Sequence, residues 1–256
     1  VSESESRLGP GHQSAVGGKR EDVVLLHGFA GTGNLWDRVL EHLPAERYRP
    51  LALDLPGHGE QGDAPRPITF DSCMQSVLER APERFVLGGY SMGGRIALHI
   101  ALAAPERIER LVLISATAGI ADAVERAERR KRDRRLAKDI ETGSIEDFSE
   151  RWRAQAMFAD DPPEVDRLAR ADQSRNRPDG LAAALRGVGS GEMQPLWERL
   201  CELQMSVTVL AGRRDRKFVR VSERMVSLLP NALLQVAGGG HCLPLENPRA
   251  VAQAIA

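Results

Sequence analysis

Six short apolar runs separated by helical patterns constrain this chain more than any other feature. They fall at residues 23–27, 51–54, 85–90, 111–115, 207–212 and 233–237, and each reads as a strand buried on both faces. Strands of that kind occur where helices cover both sides of a sheet. The alternation therefore predicts an α/β fold whose mostly parallel sheet is joined by crossover helices. With 256 residues the chain suits one well-buried core better than two independent domains.

The rhythm breaks between about residues 119 and 195. No strand-like run occurs there, and charged helical patterns appear near 123–141, 145–157, 163–173 and 180–186. A helical insert between two sheet strands borders the open end of the sheet, so this segment is expected to be a lid. Residues 21–118 and 196–256 would then form the core. Residues 1–20 are rich in Ser, Gly and Glu and nearly free of large apolar side chains. Ordering them would cost more entropy than burial returns, so a disordered leader is expected.

Charge excludes several function classes. Charged residues make up 28% of the chain with a net charge of -1, so no global field attracts nucleic acid or an anionic membrane. No apolar run approaches the roughly 18 to 20 residues that span a bilayer, and the start lacks the basic-then-apolar order of a signal peptide. Cys73, Cys201 and Cys242 are odd in number and widely spaced, which suits reduced thiols rather than a disulfide framework or a zinc site. A cytoplasmic location is expected.

The sharpest chemical signal is Gly89-Tyr90-Ser91-Met92-Gly93, a G-x-S-x-G sequence between an apolar run and a helical pattern at 95–104. A serine on such a strand-to-helix turn is held in strained backbone angles, and the flanking glycines prevent clashes where the chain doubles back. The turn lifts Oγ to the open end of the sheet. It also sets the Met92 N–H at a helix N-terminus, ready to donate to a developing oxyanion. A serine hydroxyl is a weak nucleophile or base at neutral pH. It needs a histidine within reach and a carboxylate to fix that histidine's tautomer. Asp215, after the run 207–212, and His241, after the run 233–237, follow in the expected order, each beyond the carboxyl end of a predicted parallel strand. His27-Gly28-Phe29 closes the first run, and its Phe29 N–H is the candidate second oxyanion donor. The turn Asp54-Leu55-Pro56-Gly57-His58-Gly59 reads as mainly structural.

From about residue 22 to the end, these motifs resemble the α/β-hydrolase fold. More narrowly the chain resembles the MenH family, the 2-succinyl-6-hydroxy-2,4-cyclohexadiene-1-carboxylate synthases of menaquinone biosynthesis. That narrower resemblance rests on HGFAGTGNLWD (27–37), LDLPGHG (53–59), GYSMGGRIAL (89–98), VERAERRKRDRRLA (124–137), W-x5-F (152–158), GLAAALRGVGSGEMQPLW (180–197) and GRRDRKF (212–218). The lid segments discriminate best, because esterases share the core motifs but carry unrelated caps.

The resemblance implies elimination of pyruvate from a tricarboxylate, without a metal or organic cofactor, with the serine removing a carbon-bound proton. A polyanionic substrate calls for guanidinium partners. Arg95 sits at i+4 from Ser91, and Arg129 matches the arginine of the family's A-E-R lid motif. Tyr90 and Trp152 match aromatic positions near the same pocket. Of the eight basic residues between 126 and 138, only Arg129 is singled out; the rest read as a solvated helix face.

Two departures stand out. Gln173 replaces the family's arginine seven residues before the G-L-A segment, with Arg175 in the adjacent turn as the candidate replacement. Ala156-Met157-Phe158 stands where Pro-Leu-Phe is usual. The competing readings are a carboxylic-ester hydrolase, thioesterase or C–C hydrolase with Ser91 as nucleophile, and a non-catalytic binding protein on the same fold. The expected partner is a small carboxylate, with no nucleic acid or membrane, and the chain is expected to be a monomer or homodimer.

Overall fold

The structure is a computed structural model and describes residues 20–256; the expected leader lies almost wholly outside the described residues. Six strands form one parallel sheet in the order β2-β1-β3-β4-β5-β6. They are β1 (Glu21–Leu26), β2 (Tyr48–Leu53), β3 (Phe85–Tyr90), β4 (Ile108–Ile114), β5 (Ser206–Gly212) and β6 (Ala232–Ala237). In the core, the helices are α1 (Asp37–Leu40), α2 (Phe70–Arg80) and α3 (Met92–Ala103). Four more, α4 (Ala123–Thr142), α5 (Ile145–Arg153), α6 (Pro163–Gln173) and α7 (Pro178–Val188), lie between β4 and β5. The chain closes with α8 (Arg216–Val226), α9 (Leu243–Glu246) and α10 (Pro248–Ile255).

Alternate residues of the central strands feed two cores. Val24, Leu26, Leu87, Leu111 and Leu113 pack with Ile96 of α3 on one face. Val23, Leu25, Val86, Val112 and Ile114 pack with Val251 and Ile255 of α10 on the other. All six apolar runs are strands, but full burial holds only at the centre. The edge strand β6 is partly exposed throughout, with Leu233 at 58%, because only β5 flanks it.

Strand order reverses at β1, which lies between β2 and β3. Ligands in open α/β sheets gather at the carboxyl ends of strands beside such a switch point. Phe29 follows β1 there and Ser91 follows β3. The third core, formed by Ala137, Ile140, Phe148, Leu181 and Leu185 of the inserted helices, encloses Ala30 and packs against Phe29 of the β1–α1 loop.

Two buried histidines brace this end of the sheet. The His27 Nδ1–H donates to the Gly28 carbonyl (2.8 Å), leaving Nε2 to accept from the Leu55 N–H (3.0 Å). Burial pushes His27 down to about 4 and His58 to about 3, the neighbouring His27 contributing to the latter. Both values lie below the ordinary value, so the unfolded chain binds these protons first. Their contribution to stability is complete above about pH 6.5 and is lost as pH falls toward about 4 and 3. Asp172, whose carboxyl burial raises to about 6, acts in the opposite direction over the same window. The balance predicts that stability in urea falls from pH 6.5 to 4.5, and that Asp172→Asn steepens the fall by up to about one proton. A slope unchanged by that substitution would contradict the assignment.

Candidate active site

Ser91 is the residue between β3 and α3, at φ 52° and ψ -106°. The turn requires glycine two residues to either side of the serine. A Cβ at Gly93 would lie 2.2 Å from the Leu26 carbonyl oxygen, and one at Gly89 would lie 2.5 Å from that of Gly93. The Ser91 N–H donates to the Ile114 carbonyl (2.9 Å), which pins the turn to β4. Met92 opens α3, so its amide is one of the helix's first N–H groups and points out of the N-terminus.

The three side chains expected to converge do so. Asp215 Oδ2 lies 2.6 Å from His241 Nδ1, and His241 Nε2 lies 3.2 Å from Ser91 Oγ. An ionised carboxylate can only accept, so it holds the proton on Nδ1 and leaves Nε2 free to accept from the serine hydroxyl. Asp215 is itself oriented at the head of α8, where Oδ1 accepts from the Phe218 N–H (3.3 Å). Rings of Phe218, Tyr90 and Phe158 pack around the imidazole at centroid distances of 4.7, 5.5 and 6.0 Å. The Ser115 hydroxyl donates to the His241 carbonyl (3.3 Å), tying the histidine loop to the end of β4.

Ser91 opens into a cavity of about 650 Å³ between the sheet and the inserted helices. Phe29, Met92, Trp152 and Phe218 contribute to its wall. The cations Arg95, Arg129, Arg132, Arg214 and Lys217 share that wall with Asp133, Asp160 and Asp161. Arg95 is buried and donates to the Val188 carbonyl (2.7 Å). Burial, helped by the charge of Arg129, lowers it to about 10, so it remains charged at neutral pH. Arg129 is held by its i+4 neighbour Asp133 (2.7 Å).

A family model described as the alpha/beta hydrolase family matches residues 23–254. The 2-succinyl-6-hydroxy-2,4-cyclohexadiene-1-carboxylate synthase of Pectobacterium atrosepticum is 34% identical, the match covering 91% of each chain. The chain belongs to the α/β-hydrolase family, on its MenH-like branch. A Bacillus subtilis protein provisionally assigned the same synthase activity is 35% identical over 90% of this chain and 86% of its own length. The structure of MenH from S. aureus superposes with a TM-score of 0.85 at 31% identity, covering 92% of this chain and 91% of that one.

Against the MenH-like pattern, Arg95, Arg129 and Trp152 line the cavity as expected, together with Phe29 and Met92. Tyr90, Gln173 and Arg175 do not. Tyr90 ends β3 with its ring packed under Gly28 and beside His241, and its hydroxyl 3.6 Å from Cys242 Sγ. Gln173 ends α6 on its buried side, where Oε1 accepts from the Ser149 hydroxyl (2.5 Å). Tyr90 and Gln173 line a separate space of about 40 Å³. Arg175 lies past the end of α6, is exposed, and borders a different groove beside Thr32, Asp54 and Arg80. It therefore does not replace the missing arginine in the cavity. Arg132, Arg214 and Lys217 were not singled out in the sequence. Arg132 stands one turn from Arg129 on α4, so helical spacing is the available signal for it, whereas Arg214 and Lys217 are marked only by lying within two residues of Asp215.

Proposed function

We propose that this MenH-like chain eliminates pyruvate from 2-succinyl-5-enolpyruvyl-6-hydroxy-3-cyclohexene-1-carboxylate, yielding 2-succinyl-6-hydroxy-2,4-cyclohexadiene-1-carboxylate. The observation that carries this reading is the supply of cations around the serine: five basic side chains border the cavity into which Ser91 opens, with the carboxylates of Asp133, Asp160, Asp161 and Asp215 interspersed among them. A substrate with three carboxylates gains from such a wall, whereas a neutral acyl ester would gain from an apolar one.

In this reading His241 Nε2 takes the hydroxyl proton of Ser91 while the serine oxygen removes the proton from the ring carbon bearing the succinyl group. The released electron pair forms a ring double bond, the existing double bond shifts, and the C–O bond to the enolpyruvyl group breaks. Enolpyruvate leaves and is protonated on carbon to give pyruvate. Charge passing through the succinyl carbonyl oxygen is stabilised by the Phe29 and Met92 amides, a contribution of about 10²- to 10³-fold per donor. Asp215 keeps the imidazole in the tautomer this requires. The inserted helices act as the lid that encloses the substrate.

Incubating the protein with the tricarboxylate and coupling released pyruvate to NADH oxidation tests the reading. Turnover well above the spontaneous rate is expected. No acceleration, together with a burst on short acyl esters and a Ser91 acyl adduct, would replace it by an ester hydrolase. Arg129→Ala is expected to raise KM with little change in kcat. Losing a charge-assisted contact costs about 1.5 to 3 kcal/mol, which corresponds to roughly 10- to 150-fold. An unchanged KM would remove Arg129 from the substrate contacts.

A further inference from the structure

The loop that carries the Phe29 amide is anchored from two sides. On the core side, His27 holds the Gly28 carbonyl, and the Gly31 N–H closes a turn onto the same oxygen (3.0 Å). On the other side, the anchors come from one short stretch of the inserted helices. Asp172, in the last turn of α6, accepts from the Thr32 N–H through Oδ2 (3.0 Å) and from the Thr32 hydroxyl through Oδ1 (2.5 Å). Asn176, in the turn that follows α6, donates through Nδ2 to the Ala30 carbonyl (2.9 Å) and accepts from the Gly59 N–H (3.0 Å).

These contacts are built to be specific. Asp172 and Asn176 are both buried, so their bonds are made in a low-dielectric setting where an unmade bond is costly. Gly31 leaves room for the carboxylate, since a Cβ there would lie 3.3 Å from Asp172 Oδ2. Ala30 adopts φ 62°, a conformation that a non-glycine residue keeps only when its surroundings enforce it. The Asn176 bond to the Ala30 carbonyl and the apolar enclosure of Ala30 by Leu181 and Phe148 supply that enforcement. On the same side the Phe29 ring packs edge-on against Phe148 and Trp152 of α5.

We propose that Asp172 and Asn176 are positioning residues that fix the Phe29 amide, so that the inserted helices assemble half of the oxyanion site as well as covering the substrate. This rests on the functional reading above, in which that amide receives developing charge. The stretch 172–176 holds the loop at residues 30 and 32, immediately after Phe29, and tethers Gly59 to the same point, while His27 and the Gly31 N–H hold the Gly28 carbonyl on the preceding peptide. A loop held in this way keeps its amide aimed without substrate contact by either side chain. Preorganisation of that kind affects the transition state more than the bound ground state.

The full-length protein tests it by two independent measurements. With the tricarboxylate as substrate, Asp172→Ala and Asn176→Ala are each expected to lower kcat by about 10- to 100-fold while KM changes less than about threefold. Asp172→Asn, which can still accept from the Thr32 amide and donate to the Thr32 hydroxyl, should recover most of the lost turnover. Without any substrate, hydrogen exchange at residues 29–32 should be faster by about tenfold or more in both alanine variants, with β3 and β4 unchanged. Equal protection in the variants and the parent protein would overturn the proposal, as would faster exchange with an unaltered kcat. If the parent protein itself releases no pyruvate, the functional reading fails, and the exchange comparison then decides the anchoring alone. Global loss of protection in Asp172→Ala would mark that variant as unfolded, leaving Asn176→Ala and Asp172→Asn to carry the comparison.

Discussion

Ser91→Ala and His241→Ala are each expected to lower kcat by about 10³-fold or more, and the double variant is expected to be no slower than either single one. The reason is geometric. The imidazole can take the serine proton only while Asp215 holds its other nitrogen, at 2.6 Å, and while Ser91 Oγ remains at 3.2 Å. Removing either end of that relay leaves the remaining member with nothing to act through, so their contributions do not add. The substitutions remove few packing contacts: Ser91 is half-buried at the cavity wall, and the Tyr90 and Phe158 rings beside His241 retain their own partners in the core. Near-parental thermal unfolding with abolished pyruvate release is therefore the expected result. Measuring kcat and the unfolding midpoint of all three variants checks it. A double variant slower than the singles by the product of their effects would show that the two groups work separately.

The parts of this site that were legible in the sequence are those written in local pattern. Gly89, Ser91 and Gly93 announce a strand-to-helix turn because the spacing of the glycines is itself the steric requirement, met in the structure by the close carbonyls of Leu26 and Gly93. Asp215 and His241 could be placed because each follows a strand, and parallel strands present their carboxyl ends together. The inserted helices were legible as an interruption of the strand rhythm, and their periodicity located α4, α5, α6 and α7 closely.

What escaped depends on contacts between segments far apart in the chain. Tyr90 neighbours Ser91 in sequence, yet its ring packs under Gly28 and into the core formed with Phe158 and Cys242 rather than into the cavity. Gln173 and Arg175 flank the end of α6, where one position turns inward to Ser149 and the other faces solvent, a distinction set by how α6 packs on α5. Asp172 and Asn176 lie more than a hundred residues from the loop they hold, and no spacing rule connects them to Thr32 or Ala30. Such a pair becomes visible only when the carboxylate and its donors are seen in one place.

The largest expected effect on stability comes from another residue of this kind, Arg153, whose side chain is 1% exposed at the end of α5. Its Nη2 donates to Asp161 (2.6 Å), its Nε to Asp166 (2.7 Å), and its Nη1 to Cys242 Sγ (3.3 Å), while the guanidinium carbon stands 4.3 Å from the centre of the Phe158 ring. One side chain thus joins α5, the turn after it, α6 and the residue next to His241. The Asp161 side chain is only 2% exposed, so it has little water to replace the guanidinium. Breaking a buried pair by removing one partner costs about 3 to 5 kcal/mol, because the remaining charge stays desolvated. Arg153→Ala is expected to lose about that much in urea unfolding, and Arg153→Lys should recover only part, since an ammonium cannot present three donors in the plane that these partners occupy. Arg153→Met combined with Asp161→Asn removes both charges, and should be more stable than Arg153→Ala by at least about 1 kcal/mol. A single Arg153→Ala loss below about 1 kcal/mol would mean that Asp161 finds water or another donor when the guanidinium is gone. The helices over the cavity would then be held to the core mainly by their apolar contacts with Phe29 and Ala30 and by the hydrogen bonds of Asp172 and Asn176.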